Sequence, residues 1–186
     1  DEVQQFVDDL KYRVKGIKEN ASNIGTNMHS LCEDYITGKN PVEPTTEPLK
    51  TMFDKFKKFW KKRNFEIVET EKTYYSDELD VCGTLDVLVK RKGKVGILDF
   101  KTSKDFYPDM PVQIHTYKKL VEDSTKHKIE FLAVINIPKE PVKDVSIRFF
   151  DIKPRYLKAF KACKYLNTVE EDFKKRNEEY NKLRSK

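Results

Sequence analysis

The segment GTLDVLVKRKGKVGILDFKTS, residues 83–103, constrains this chain more than any other. Two apolar runs flank Arg91-Lys92-Gly93-Lys94. Gly supplies the positive φ that a two-residue hairpin loop needs, so Lys92-Gly93 reads as the turn. That turn sets the register: Arg91 faces Lys94, Val89 faces Gly96, Val87 faces Leu98, and Asp86 faces Asp99. Counted from the turn, the aspartates form a non-hydrogen-bonded pair, where side chains approach most closely. A loop one residue longer would turn Asp86 to the other face, so the reading hangs on the turn.

Like charges directly opposite each other destabilise a strand pair. At about 4 Å and an effective dielectric near 20, the repulsion is on the order of 4 kcal/mol. The neighbours Leu85, Val87, Leu88, Ile97, Leu98 and Phe100 predict a poorly hydrated site. A hard divalent cation with oxygen ligands is the natural counter-charge. Strand alternation puts Lys101 on the same side as Asp99, so two carboxylates and an ammonium converge. That set can hold Mg²⁺, orient a water and steady developing negative charge.

Around the hairpin the periodicity predicts a single α/β domain with a mixed central sheet flanked by helices. Val3, Phe6, Val7, Leu10, Val14 and Ile17 predict a helix over 2–19, with Asn20, Asn23 and Gly25 breaking it. A second helix is expected over 26–37, closed by Gly38. A third spans 49–62, aromatic on one face and lysine-rich on the other. Strands are expected over 65–75, 81–91, 94–101, 129–137 and 143–151. Helices are expected over 109–124 and from Pro154 to about 184.

Composition narrows the classes. The 37 Lys and Arg exceed the 31 Asp and Glu, for a net charge of +6, which permits a polyanionic partner. The 12 Phe and 9 Tyr argue against disorder, since disordered chains lack aromatics. No apolar run approaches the length of a membrane span. The acidic start DEVQQFVDDL predicts no secretory signal. Three scattered cysteines, Cys32, Cys82 and Cys163, argue against a disulfide framework and suit a reducing, intracellular compartment. No Walker A loop occurs, so no motor activity is expected.

The hairpin resembles the active-site core of PD-(D/E)XK nucleases, especially the RecB-like exonuclease branch. Asp86, in Gly83-Thr84-Leu85-Asp86, stands at the first acidic position, and Asp99-Phe100-Lys101 matches (D/E)-x-K. Gly25-Thr26-Asn27-Met28-His29, followed by Glu33, looks like the upstream helix with its metal-binding His. Glu71, ahead of Tyr75, falls where the branch often has an acidic residue. Gln113 and Tyr117 reproduce its Q-x-x-x-Y helix. The resemblance covers about residues 25–120.

It implies a restriction-endonuclease-like core over about 25–151 within one nuclease domain spanning 1–186. It implies Mg²⁺, with Mn²⁺ as substitute, held by Asp86, Asp99, the Phe100 carbonyl and His29. Lys101 would position water or stabilise the transition state, Glu71 would assist, and Gln113 and Tyr117 would orient Lys101 or touch the DNA backbone. The iron–sulfur form of the branch needs four cysteines, so no cluster is expected. The implied activity is phosphodiester hydrolysis, most simply by an exonuclease on single-stranded DNA or ends, as in small stand-alone phage- and mitochondrial-type enzymes. Mitochondria, or a larger replication or recombination assembly, are compatible settings.

Lys55, Lys57, Lys58, Lys61, Lys62 and Arg63, with Lys90 to Lys94, predict a basic rim around the carboxylates, with Lys58, Lys62 and Lys92 as substrate contacts. Phe56, Phe59 and Trp60 are either base-stacking platforms or core. The rival readings are a structure-selective endonuclease using the same site and a catalytically silent nucleic-acid-binding module.

Overall fold

The computed structural model describes residues 2–184, with the side chains of residues 2–14, 16 and 17 outside that description. In chain order the elements are α1 (Glu2–Ile36), α2 (Leu49–Trp60), β1 (Glu66–Ser76), β2 (Val81–Arg91), β3 (Lys94–Lys101), α3 (Asp109–Ser124), β4 (Phe131–Asn136), β5 (Ser146–Phe150) and α4 (Pro154–Arg184).

The strands form one five-stranded mixed sheet in the order β1-β2-β3-β4-β5. Only β3 and β4 run parallel, and α3 makes the crossover between them. Helices pack on both faces. On one, α1 and α2 cover Val87, Val89, Leu98, Phe100, Ala133 and Ile135 with Met28, Phe53 and Phe56. On the other, α3 covers Leu88, Ile97, Leu132 and Val134 with Ile114, Leu120 and Val121. With both faces covered, β4 is apolar almost throughout.

The turn adopts the conformation expected of it. Lys92 and Gly93 both have positive φ, 50° and 80°, which is the type I′ pattern that matches strand twist. The ladder runs from Arg91↔Lys94 to Val87↔Leu98.

The N-terminal helices differ from expectation. Residues 2–36 form one continuous helix, without a break at Asn20, Asn23 or Gly25. Each such residue costs roughly 1 kcal/mol or less in a helix, and the anchoring of Ile24, Met28, Leu31 and Cys32 in the core outweighs that. The apolar row Val3, Phe6, Val7, Leu10, Val14 and Ile17 lies outside the described side chains. Gly38 does follow the helix end, at φ 77°. β4 and β5 are shorter than expected, because Ile137 to Val145 form the connection between them. The outer part of α4 leaves Tyr165, Leu166, Phe173 and Tyr180 exposed. Among the described residues, no helix is long and apolar enough to cross a membrane.

Candidate active site

β2 and β3 separate at the end of their ladder, and the candidate residues gather there. Strict alternation would put Leu85 and Val87 on one face, yet Leu85 packs in the α3-side core and Val87 in the α1/α2-side core. The strand therefore turns over at Asp86. Instead of forming one more rung with Asp99, Asp86 accepts a hydrogen bond through Oδ2 from the Phe100 amide at 2.6 Å. In β3 the carbonyls of Val95 and Lys101 accept from Glu130 and Ile137, on the β4 side. By alternation the amide and carbonyl of Phe100 face β2, where the backbone ladder has stopped. The Phe100 carbonyl is thus directed to the side that Asp86 occupies.

Asp99 is buried, 3% exposed. Lys101 Nζ lies 2.7 Å from its Oδ2. The approach is an ion pair by distance but lies off hydrogen-bond direction, so Oδ2 has no hydrogen-bond partner among the described residues. Burial, then the nearby Asp86 charge, pushes the Asp99 carboxyl up to about 6, against the pull of Lys101 and His29. This is the pairing of like charges that the sequence implies, reached by proximity rather than by facing positions in the ladder.

His29 comes from α1 and stands edge-on to Phe100, ring centroids 6.1 Å apart. Its Nδ1 is 3.4 Å from Asp86 Oδ1. Burial opposes its charging, but the bond and charge of Asp86, with help from Asp99, leave its pKa raised. Glu71 stands across from Asp86, between the pairs Thr70↔Val87 and Lys72↔Leu85. Its φ of 45° is rare for a residue that is not glycine, and rarer within a strand. Burial, Asp86 and Glu33 raise its pKa. Glu33 itself accepts a hydrogen bond from Thr70 Oγ1 at 3.3 Å, tying α1 to β1.

Gln113 and Tyr117 sit one turn apart on α3, and Gln113 Nε2 donates to Tyr117 Oη at 2.9 Å. Burial raises the Tyr117 pKa, and the charges of Asp99, Asp86 and Glu71 add to it, so the phenol lies within electrostatic reach of the acidic group. Gly83 makes that possible: a Cβ there would lie 3.0 Å from Tyr117 Cε1. Both α3 residues line a cavity of about 530 Å³ with Gly83 and Phe160.

Asp86, Asp99, Lys101, His29, Glu71 and Tyr117 are therefore drawn together from five elements. Lys58, Lys62 and Lys92 are not among them. From Lys94 to Asp99 is five steps of β3, about 17 Å at roughly 3.3–3.4 Å per residue, so the hairpin tip is remote from the carboxylates. Lys55 and Lys57 also serve other ends: Lys55 donates to the carbonyls of Pro141 and Lys143, and Lys57 pairs with Glu43 and Asp54. Phe56 is core, and Trp60 packs on Phe56, Phe65 and Phe100, so neither is a stacking platform.

Among the described residues no three His, Cys, Asp or Glu side chains form a ready-made metal site. Mg²⁺ does not need one. It commonly takes one or two carboxylates and fills its shell with waters and substrate oxygens. A buried carboxylate oxygen without a hydrogen-bond partner, a second carboxylate and a carbonyl on the same side are hard oxygen donors of the right kind. His29 faces Asp86 from the other element of the site. Compared with known proteins, the chain matches no family model and no curated protein.

Proposed function

We propose that this chain is a metal-dependent nuclease with a restriction-endonuclease-like core. The observation that carries the reading is the buried Asp99 carboxylate, with an oxygen lacking a hydrogen-bond partner, held between Asp86 and Lys101 at the end of β3. A buried like-charge pair is costly, and capping the Phe100 amide needs only one of the two carboxylates. A perturbed buried carboxylate beside a lysine is the arrangement expected where charge must be managed during a reaction.

Asp86, Asp99 and the Phe100 carbonyl would hold Mg²⁺ or Mn²⁺, with His29 at the margin. When bound, the ion supplies Lewis-acid activation of the phosphate and of water. The chain's own groups do the rest. Asp99 holds the Lys101 ammonium at the mouth of the site, where it orients water and meets charge developing on a phosphoryl oxygen. Asp86 fixes the Phe100 peptide, and through it the direction of the carbonyl. Tyr117, steadied by Gln113, offers a hydroxyl toward the same space. Asp99 would bind a cation in its ionised form, which burial and the Asp86 charge oppose, so the ion and a proton compete for it. The resemblance to the RecB-like branch adds the substrate: DNA, as single strands or ends, degraded exonucleolytically.

The test is incubation of end-labelled single- and double-stranded DNA with the purified chain and Mg²⁺, with and without EDTA. Mg²⁺-dependent products shortening from one end are expected, and internal cuts would indicate an endonuclease. Lys101→Ala and Asp99→Ala should each lose at least about a hundredfold in rate, the scale of one electrostatic contributor. Undiminished cleavage by Lys101→Ala would remove the mechanism.

A further inference from the structure

A second charged feature lies away from the carboxylates. A cavity of about 330 Å³ opens between α2 and the segment before β5, lined by Lys58, Phe59, Lys62, Arg63 and Asp144 among others. Another, of about 360 Å³, opens between the end of α2 and the hairpin tip, lined by Lys62, Arg63, Asn64, Arg91 and Lys92. Lys62 and Arg63 line both, so the two cavities adjoin across these side chains and together make one basic groove surface.

The groove is strongly unbalanced in charge. Asp144 is the acid in its lining, and it already faces Lys55 at 3.6 Å. The side chains of Lys58, Lys62 and Lys92 have no hydrogen bond or ion pair among the described residues. Some lysines elsewhere are paired, as Lys118 is with Glu122 and Lys119 with Glu78 and Asp123; what marks the groove is that its cations crowd one lining with a single acid. The two arginines lie against aromatic rings: Arg63 is 4.4 Å over Phe59, and Arg91 is 5.7 Å from Phe65 and 5.9 Å from Phe149. A guanidinium stacked on a ring keeps its edge donors for phosphate. Crowded cations of this kind repel one another and lower stability unless an anion relieves them.

Its position gives it a direction. The segment before β5 leads into Ser146, which pairs with Asn136, which pairs with Lys101. That end of the groove is level with Lys101 and about two strand spacings, roughly 10 Å, across the sheet. The other end is Lys92 on the turn, seven residues of β3 away along the strand direction, about 23 Å. At 3.4 Å of axis per nucleotide, about seven nucleotides of a helical strand span that length.

We infer that this groove is an extended binding track for a nucleic-acid strand, with Lys58, Lys62, Arg63, Arg91 and Lys92 contacting successive phosphates outside the cleavage site. The link from track to carboxylates rests on the nuclease reading, while binding in the groove does not. A strand is favoured over an acidic protein because the cations extend from the end of α2 to the hairpin tip, with aromatic-backed arginines among the lysines.

The test is fluorescence anisotropy in EDTA, where nothing is cut, over a series of salt concentrations. The probes are labelled oligodeoxythymidylates of about 20 and about 4 nucleotides, bracketing the usual range of single-strand site sizes. The variants are Lys62→Glu with Arg63→Glu, and the milder pair Lys62→Ala with Lys92→Ala, checked by circular dichroism. The charge reversal should weaken the long probe at least tenfold. The alanine pair should make the slope of log affinity against log salt shallower by about 1.4, two phosphate contacts' worth. The short probe should bind within about twofold of wild type. Unchanged affinity and slope for the long probe in both pairs, or an equal loss on the short probe, would overturn the track. So would displacement of the long probe by polyglutamate of equal charge as readily as by unlabelled strand.

A parallel Mg²⁺ incubation of the wild-type chain with the long probe separates the two claims. Cleavage with unaltered groove binding removes the track and keeps the nuclease. Groove-dependent binding without cleavage does the reverse.

Discussion

The Asp86 carboxylate accepts the Phe100 amide at 2.6 Å, and so replaces a rung of the β2–β3 ladder with a side-chain bond. Asp86 is thereby both a structural cap on the hairpin and a member of the acidic site. Asparagine can still accept that hydrogen bond through its carbonyl oxygen, whereas alanine cannot. Asp86→Ala should therefore lose about 1–3 kcal/mol of stability, the cost of a stranded buried amide. Asp86→Asn should stay within about 1 kcal/mol of wild type, while both lose Mg²⁺-dependent cleavage. Urea denaturation beside the cleavage assay separates the two roles, and equal stability losses in both variants would contradict the capping role.

Asp99 works against the fold at neutral pH. Its carboxyl is raised to about 6 in the folded chain, against 3.8 as its ordinary value, so the folded state holds the proton more tightly than the unfolded one. Its contribution to stability is present below about pH 4 and is lost as pH rises toward 6. Asp99→Asn removes the buried charge and should be more stable than wild type above that window, by on the order of 1–3 kcal/mol, with little difference below it. Denaturation at about pH 4 and about pH 8 would show this; a variant less stable at the higher pH would mean that the Lys101 pair outweighs burial.

His115 provides a pH effect of opposite sign. It is buried on α3; Nδ1 donates to the Pro111 carbonyl at 2.5 Å, and Nε2 accepts the Lys153 amide at 3.2 Å. Burial lowers its pKa, against the two nearby backbone carbonyls, which favour the charged ring. The neutral ring's contribution is full above about pH 6.5 and is lost as pH falls through the lowered value. His29, with a raised pKa, contributes in the other direction and above that window: its contribution is full below about pH 6.5 and is lost as pH rises through the raised value. The informative quantity is therefore the difference between wild type and His115→Phe. That difference should shrink between about pH 7 and pH 5, as followed by thermal melting. A constant difference would mean that His115 takes up its proton equally in the folded and unfolded chain, contradicting the lowering.

The parts of the fold legible in the sequence are those set by neighbours along the chain. Period-two runs and the Lys92-Gly93 turn specify the hairpin and its register, because side-chain alternation and a positive-φ turn leave one pairing with both faces apolar. The helical period over 109–124 marks α3, and it brings Gln113 and Tyr117 to neighbouring positions one turn apart. Asp99 and Lys101 follow from the same alternation. The presence of a charged group at the end of β3 is therefore a property of the sequence.

Other features were settled only by packing between distant segments. The α1 helix continues through Asn20 and Gly25 because the core beneath it outweighs weak local propensities. The ladder ends at Val87↔Leu98 because β2 turns over to place Leu85 and Val87 in different cores, which frees Asp86 for the Phe100 amide. Glu71 takes a left-handed backbone across from Asp86, a conformation that no local signal in TEKTYYS announces. The lysines of α2 and the hairpin read in sequence as a rim around the carboxylates, but the docking of α2 across the sheet gathers them into a separate groove. Sequence by itself determined which charges the chain carries and the register of the strand pair that bears the aspartates, since both depend on local period and turn chemistry. Tertiary structure decided which of those charges meet, because burial, proximity and the angle at which a helix crosses a sheet depend on residues far apart in the chain.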